Sequence, residues 1–170
     1  MRGRDSLPGK GDGGVVLTGP EPLARYNRAM TELTSRRLLG GGPLEPRVRS
    51  LTEVVAGTLE APRASVWLRD ARDATLGCVD LFDARSGRHE AGASVSETDF
   101  PVYFRSLDDQ RNIAAADALT DARTSELGRS YLVPLGIVSI LDVPLRRDGR
   151  TIGGLCVEET ARREWSLEEE

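Results

Sequence analysis

The chain has 170 residues, 39% of them hydrophobic and 29% charged, which suits one globular core with tails and excludes a wholly disordered protein. Its formal net charge of -4 argues against a phosphate-binding surface, so no nucleic-acid partner is expected. No stretch is long and apolar enough for a membrane span or a secretory leader, and a cytoplasmic protein without membrane insertion is expected.

Residues 1–20 are rich in Gly and Pro and lack apolar periodicity, which predicts a disordered N-terminal tail. Leu23, Tyr26, Met30 and Leu33 then fall on one stripe of an amphipathic helix, expected to run to Leu39 and stop at Gly40-Gly41-Gly42. A second helix carries Leu44, Val48, Leu51, Val55 and Leu59 at helical spacing, with Pro43 in its first turn and Ala61-Pro62 at its end. Three β-type runs follow at 64–69, 76–82 and 89–95, separated by turn-rich segments, and read as a meander. Thr98 or Asp99 can cap a short helix through Leu107, which gathers Phe100, Tyr103 and Phe104, three of the eight Phe, Trp and Tyr residues. A short strand is expected at 111–115, a loop from Asp117, and a helix from Thr124 or Ser125 to Leu135 closed by Gly136.

The segment YLVPLGIVSILDVPLRRDGRTIGGLCVEE, residues 131–159, spells a β-hairpin around Asp148-Gly149, a pair suited to the positive φ angles of a two-residue type I′ turn. Uninterrupted pairing from that turn sets Leu145 opposite Ile152, Val143 opposite Gly154, Leu141 opposite Cys156 and Ser139 opposite Glu158, all on one face. Ile140, Asp142, Leu155 and Val157 then occupy the other face. Neither face is a solvent face, so a sheet covered on both sides is expected, with room for Ser139, Cys156 and Glu158 under one cover.

ASVWLRD (64–70), FPVYFRSL (100–107), IAAADALTDARTSEL (113–127), the hairpin and the closing REW together resemble bacterial GAF domains, the sensory modules related to PAS domains. The resemblance implies an α+β, GAF/PAS-like fold: a central antiparallel sheet of about six strands with helices on both faces, one set enclosing a ligand pocket and the other forming a dimer or signalling layer. It places the GAF domain at 21–170, with its C-terminal helix truncated after the Ser-x-x-Glu start in REWSLEEE. Relatives often carry His where this chain has Val157, so a role resting on that His is missing here. A homodimer and a downstream output domain, such as a histidine kinase, diguanylate cyclase or serine phosphatase, are the implied partners, with a small molecule as possible ligand and no particular cofactor.

Candidate pocket residues are Tyr103, Phe104, Asp117, Tyr131, Ser139, Cys156 and Glu158, because small-ligand sites combine apolar walls with a few convergent polar groups. Plain core packing competes for the three aromatics, and Glu158 is as compatible with solvent as with a ligand. Asp142 is expected on the opposite face from Cys156, capping or pairing with an arginine of a covering helix. Cys78 and Cys156 lack metal-ligand spacing and read as free buried thiols rather than redox or chromophore-attachment groups. GAF-fold methionine-sulfoxide reductases use several cysteines, and two distant ones match them poorly. His89, the only histidine, sits beside a polar turn and reads as solvated. With no triad or metal cluster in the pattern, neither a catalytic nor a metal site is assigned.

Overall fold

Two apolar faces on one sheet require two covering layers, and the architecture follows from that requirement. The structure, a computed structural model, describes residues 20–35, 42–70, 72 and 74–170. The expected tail over 1–20 therefore lies almost wholly outside the described residues, as does the predicted extension of the first helix beyond Ser35. Among the described residues, seven strands form one antiparallel sheet: β1 (Arg63–Asp70), β2 (Thr75–Asp83), β3 (Arg88–Glu90), β4 (Ser94–Ser96), β5 (Ile113–Ala115), β6 (Ser139–Arg147) and β7 (Arg150–Glu159). Their order is β3-β2-β1-β7-β6-β5, and β4 also pairs with β2. The single strand expected at 89–95 is thus two short strands, β3 and β4, both laid against β2.

Helices α1 (Pro20–Leu33) and α2 (Leu44–Leu59) cover one face. There Val55, Ala56, Ala64, Leu141 and Val157 are buried together, with Tyr26 and Trp165 at the margin. Pro43 is the N-cap of α2 rather than part of its first turn, and Glu60 ends that helix in the left-handed region. The other face is covered by α3 (Pro101–Asp109) and an irregular segment, 116–138. Its core joins Trp67, Leu76, Phe104, Ile113, Leu132 and Ile140.

The type I′ turn is as expected: Asp148 and Gly149 have φ of 52° and 75°. The register beyond it is not. Arg147 pairs with Arg150 and Arg146 with Thr151, but Leu145 pairs with Gly153, so Ile152 is an extra residue. From there Asp142 opposes Cys156 and Leu141 opposes Val157. This overturns the expected pairing of Leu141 with Cys156, and it moves Asp142 to the face of Cys156 while leaving Ser139 and Leu141 on the other.

A second bulge lies in β2. Val66 pairs with Asp80 and Trp67 with Cys78, so Val79 is the extra residue and Asp80 turns away from the face that Cys78 occupies. Asp80 meets α2, accepting a hydrogen bond from Thr52 at 2.6 Å, and lies 3.0 Å from Nδ1 of His89. The other ring nitrogen of His89 lies 3.1 Å from Glu53 on α2. His89 is therefore a bridge between a helix and a strand, not the solvated turn residue its neighbours in sequence suggested.

Gly153 is fixed by close approach. A Cβ there would sit 2.1 Å from the Trp67 carbonyl oxygen and 3.1 Å from Leu68 Cα, both backbone atoms of the neighbouring strand. Gly153→Ala is expected to lower stability by about 1–3 kcal/mol, read as a lower urea midpoint. Gly57→Ala, whose Cβ meets nothing within 4 Å, serves as the control and leaves the midpoint unchanged or raised.

Candidate functional site

The face beneath α3 and the irregular segment carries a half-open cavity of about 30 Å³. Trp67, Tyr103 and Tyr131 line it together with Leu76, Leu127 and Ile140. Three polar side chains enter it from two adjacent strands: Asp142 on β6, and Cys156 and Glu158 on β7. They converge because the bulge at Ile152 gives them one parity, with Asp142 opposite Cys156 and Ile140 opposite Glu158.

Both carboxyl groups are almost sealed from solvent, at 2% exposure for Asp142 and 3% for Glu158. The Tyr103 hydroxyl donates to Asp142 Oδ2 at 2.8 Å, and the Tyr131 hydroxyl donates to Glu158 Oε1. Glu158 also faces Arg63 of β1, whose Nε lies 2.8 Å from Oε2. That contact is a close ion pair in which neither Nε nor Oε2 has a well-aligned hydrogen bond. Asp142 has no cation beside it. Burial pushes its carboxyl up from 3.8 to about 7, opposed by the Cys156 thiol and the Tyr103 hydroxyl. Burial raises Glu158 as well, with Arg63 pulling the other way.

The expectation that Asp142 pairs with an arginine of a covering helix is therefore overturned. Its partner is a neutral phenol on α3. Helix α3 is held at both ends by side chains from elsewhere. Glu126 accepts the Tyr103 backbone N–H at 2.6 Å, and one Arg146 guanidinium nitrogen donates to the carbonyls of Leu107, Asp108 and Gln110 at 3.1, 3.2 and 2.6 Å. An acid at the N-terminus and a base at the C-terminus both complement the helix dipole. The expected cap, Thr98 or Asp99, does not serve: Phe100 is the N-cap residue, and Asp99 is bonded to Ser96 in the preceding turn.

The expected helix from Thr124 to Leu135 is broken into a 3₁₀ turn at Ser125–Leu127, a π turn at Gly128–Leu132 and one α turn at Val133–Leu135. Pro134 has no N–H for a bond to Ser130, and i→i+5 spacing takes over just before it. Leu127, Tyr131 and Leu132, all from this broken helix, form one wall of the cavity.

Of the sequence-based candidates, Tyr103, Tyr131, Cys156 and Glu158 line the cavity. Phe104 lies behind it, fully buried, edge-on to Tyr103 at 6.2 Å and under the Arg69 guanidinium. Asp117 is elsewhere, accepting the Leu119 N–H at 3.1 Å in the turn that starts the irregular segment. Ser139 is also elsewhere. Its hydroxyl lies 2.6 and 2.9 Å from the carbonyls of Ala116 and Ala161 and accepts the Arg163 N–H, so it ties the C-terminal segment to the sheet edge. Trp67, Asp142 and Arg63 belong to the site and were not among the candidates; the only sequence signal for Asp142 was the Gly153-Gly154 pair that accompanies the bulge.

Both cysteines are free and buried. Burial raises the Cys78 thiol to about 12 and Cys156 well above its ordinary value, so neither presents a ready thiolate near neutral pH. Among the described residues, no group of three or more His, Cys, Asp or Glu side chains is placed to hold a metal ion. Nor, among them, is any helix long and apolar enough to cross a membrane.

Such a domain belongs to the class of α+β modules with a twice-covered antiparallel sheet and an internal cavity. More narrowly, the chain belongs to the GAF domain family, whose model matches residues 43–170. The fold is shared with the GAF domain of an Acinetobacter phosphoenolpyruvate-protein phosphotransferase (15% identity, 89% of this chain and 85% of that one, TM-score 0.63). It is shared too with the chromophore-binding domain of an R. palustris bacteriophytochrome (15%, 89% and 57%, TM-score 0.71). A third such structure is the Neisseria meningitidis free methionine-R-sulfoxide reductase in complex with its substrate (12%, 88% and 81%, TM-score 0.67). No curated protein matches the sequence.

Asp142 makes stability depend on pH with a definite sign. The folded chain holds the carboxyl proton up to about pH 7 while the unfolded chain releases it near 3.8, so this contribution is fully present at low pH and is lost as pH rises between those values. Asp142→Asn is expected to flatten the fall in denaturation midpoint across that window, by up to about 4 kcal/mol. Glu158, raised in the same direction, leaves a residual slope in the variant.

Proposed function

We propose that this GAF domain is a sensory or regulatory module in which a small molecule competes with Tyr131 for the buried Glu158 carboxyl and thereby loosens the broken helix. The single observation that supports it best is the pocket itself, where two carboxyl groups, two phenols and a thiol converge in an otherwise apolar core. Close packing alone would be served at least as well by aliphatic side chains, and burying carboxyls is costly. A π turn on the cavity wall supports the same reading, since such irregular turns concentrate at functional sites. The neighbours named above include the chromophore-binding domain of a bacteriophytochrome and a GAF domain of a phosphotransferase, which fits ligand binding or regulation of an attached domain.

At about 30 Å³ the cavity takes a water-sized guest, so a metabolite enters only if Tyr131 swings out. Release of Tyr131 frees Glu158 and disturbs the turn that also carries Leu127 and Leu132. Glu126 lies just ahead of that turn and holds α3, so both parts of the cover respond together. Signal leaves through the opposite layer, where α1, α2 and the sheet bound an apolar groove of about 350 Å³ and Met30 of α1 is 58% exposed. An exposed Met on a helix flanking the domain suits a homodimer that relays strain to an output domain, and the shift in that relay is limited by the ligand's preference for the open state.

The tight interior favours a second reading, a ligand-free interaction module that uses the same α1 surface. Thermal unfolding separates the two. With a metabolite panel, sensing predicts at least one compound that raises the midpoint, reaching about 2.7 kcal/mol at one hundred times its Kd, and an Ile140→Trp variant that fills the cavity loses the response. If no compound stabilises either the native chain or the opened variant Tyr131→Ala, the interaction module is the function.

A further inference from the structure

We propose that the cavity receives the ammonium group of a small organic amine, held between Asp142 and Glu158. This inference rests on the ligand-binding reading above and specifies the guest.

The charge count comes first. Two carboxyls line the cavity, and only Glu158 has a cation, Arg63 at 2.8 Å. Asp142 meets only the neutral Tyr103 hydroxyl and Cys156 thiol. With both carboxyls ionised, one guest charge of +1 leaves the site neutral, whereas a carboxylate or phosphate would add further negative charge to a mostly apolar pocket. The second observation is an acceptor that the Arg63 guanidinium approaches at 2.8 Å without alignment. Glu158 Oε2 is buried, belongs to a cavity-lining side chain and has no directed hydrogen-bond donor. An ammonium has three N–H groups, enough for Oε2, one oxygen of Asp142 and a phenol oxygen.

The walls agree. Trp67 donates its ring N–H to Ser65 at 2.9 Å, so it offers the cavity ring surface rather than a donor, and Tyr131 stands edge-on to it with centroids 6.0 Å apart. Aromatic surfaces attract cations, most strongly where water is excluded. Leu76 and Ile140 supply contact for an alkyl stem that a bare inorganic cation would leave unused. The present space fits the ammonium head, and displacement of Tyr131 makes room for the stem.

Protons balance simply. The guest arrives as an ammonium, Asp142 gives its proton to solvent, and no bond to carbon changes. The groups facing Asp142 are Tyr103 from α3 and Cys156 and Glu158 from β7; Arg63 of β1 and Tyr131 of the broken helix act on it through Glu158. Because Asp142 loses its proton only near pH 7, affinity rises with pH through that value.

The test is calorimetric titration of the full chain with propylammonium chloride, against propanol, propionate, ammonium chloride and potassium chloride, at pH 8 and pH 6. The expected result is binding of propylammonium at least about tenfold tighter than that of propanol and about tenfold weaker at pH 6 than at pH 8. Asp142→Asn is expected to flatten the pH dependence, leaving only what Glu158 contributes. Should that variant not fold, Glu158→Gln, expected to weaken binding about tenfold, and the pH profile of the native chain carry the test. Tighter binding of propanol or propionate, lost on Ile140→Trp, overturns the amine assignment and leaves the ligand-binding reading intact. Equal affinity for potassium or bare ammonium also overturns it, in favour of an inorganic cation site. Absence of binding by every probe overturns the amine assignment, and the metabolite panel separately decides whether any ligand binds.

Discussion

One extra residue in β7, Ile152, decides which side chains meet inside this protein. A sheet alternates with a period of two, so a one-residue insertion exchanges the faces of everything beyond it. Without it, Cys156 and Glu158 would share a face with Ser139 and Leu141, and Asp142 would lie under α1 and α2. With it, Asp142, Cys156 and Glu158 lie together beneath the aromatic cover, and Leu141 and Val157 complete the apolar face under α2. The insertion is tolerated because Gly153 lets β7 approach the Trp67 backbone more closely than any side chain would permit. The bulge at Val79 does the same for β2, sending Cys78 to one layer and Asp80 to the other.

From this parity follows a division of labour between the two layers. The face under α1 and α2 is mostly apolar, and its buried carboxylate, Asp80, is satisfied by Thr52 and His89. The opposite face holds polar groups whose satisfaction depends on a cover built from pieces: α3, held at its ends by Glu126 and Arg146, and a helix interrupted before Pro134. The hydroxyls of that cover, on Tyr103 and Tyr131, are the hydrogen-bond donors of the two buried carboxyls.

Element order was legible in the sequence because helical and strand periodicities are strong signals over segments such as 44–59 and 139–147. The turn at Asp148-Gly149 was legible for the same local reason. The cavity lining was legible only in part. Tyr103, Tyr131, Cys156 and Glu158 do line it, but Asp142 was set on the wrong face and Ser139 on the wrong side of the sheet, because turn chemistry fixes the start of a hairpin register and says nothing of a bulge four residues later. Gly153-Gly154 carried that information for a reader who takes strand glycines as marks of close approach. Pairings across distant segments, such as Glu126 with the start of α3 or His89 with Glu53, leave no trace in local pattern at all.

The central claim is that Asp142, not Leu141, faces Cys156. Cross-strand nuclear Overhauser contacts between backbone protons of β6 and β7 read this directly, without altering a residue. The bulged register predicts contacts joining Asp142 to Cys156 and Leu141 to Val157. Contacts joining Leu141 to Cys156 and Ser139 to Glu158 would contradict it, and with it the composition of the cavity.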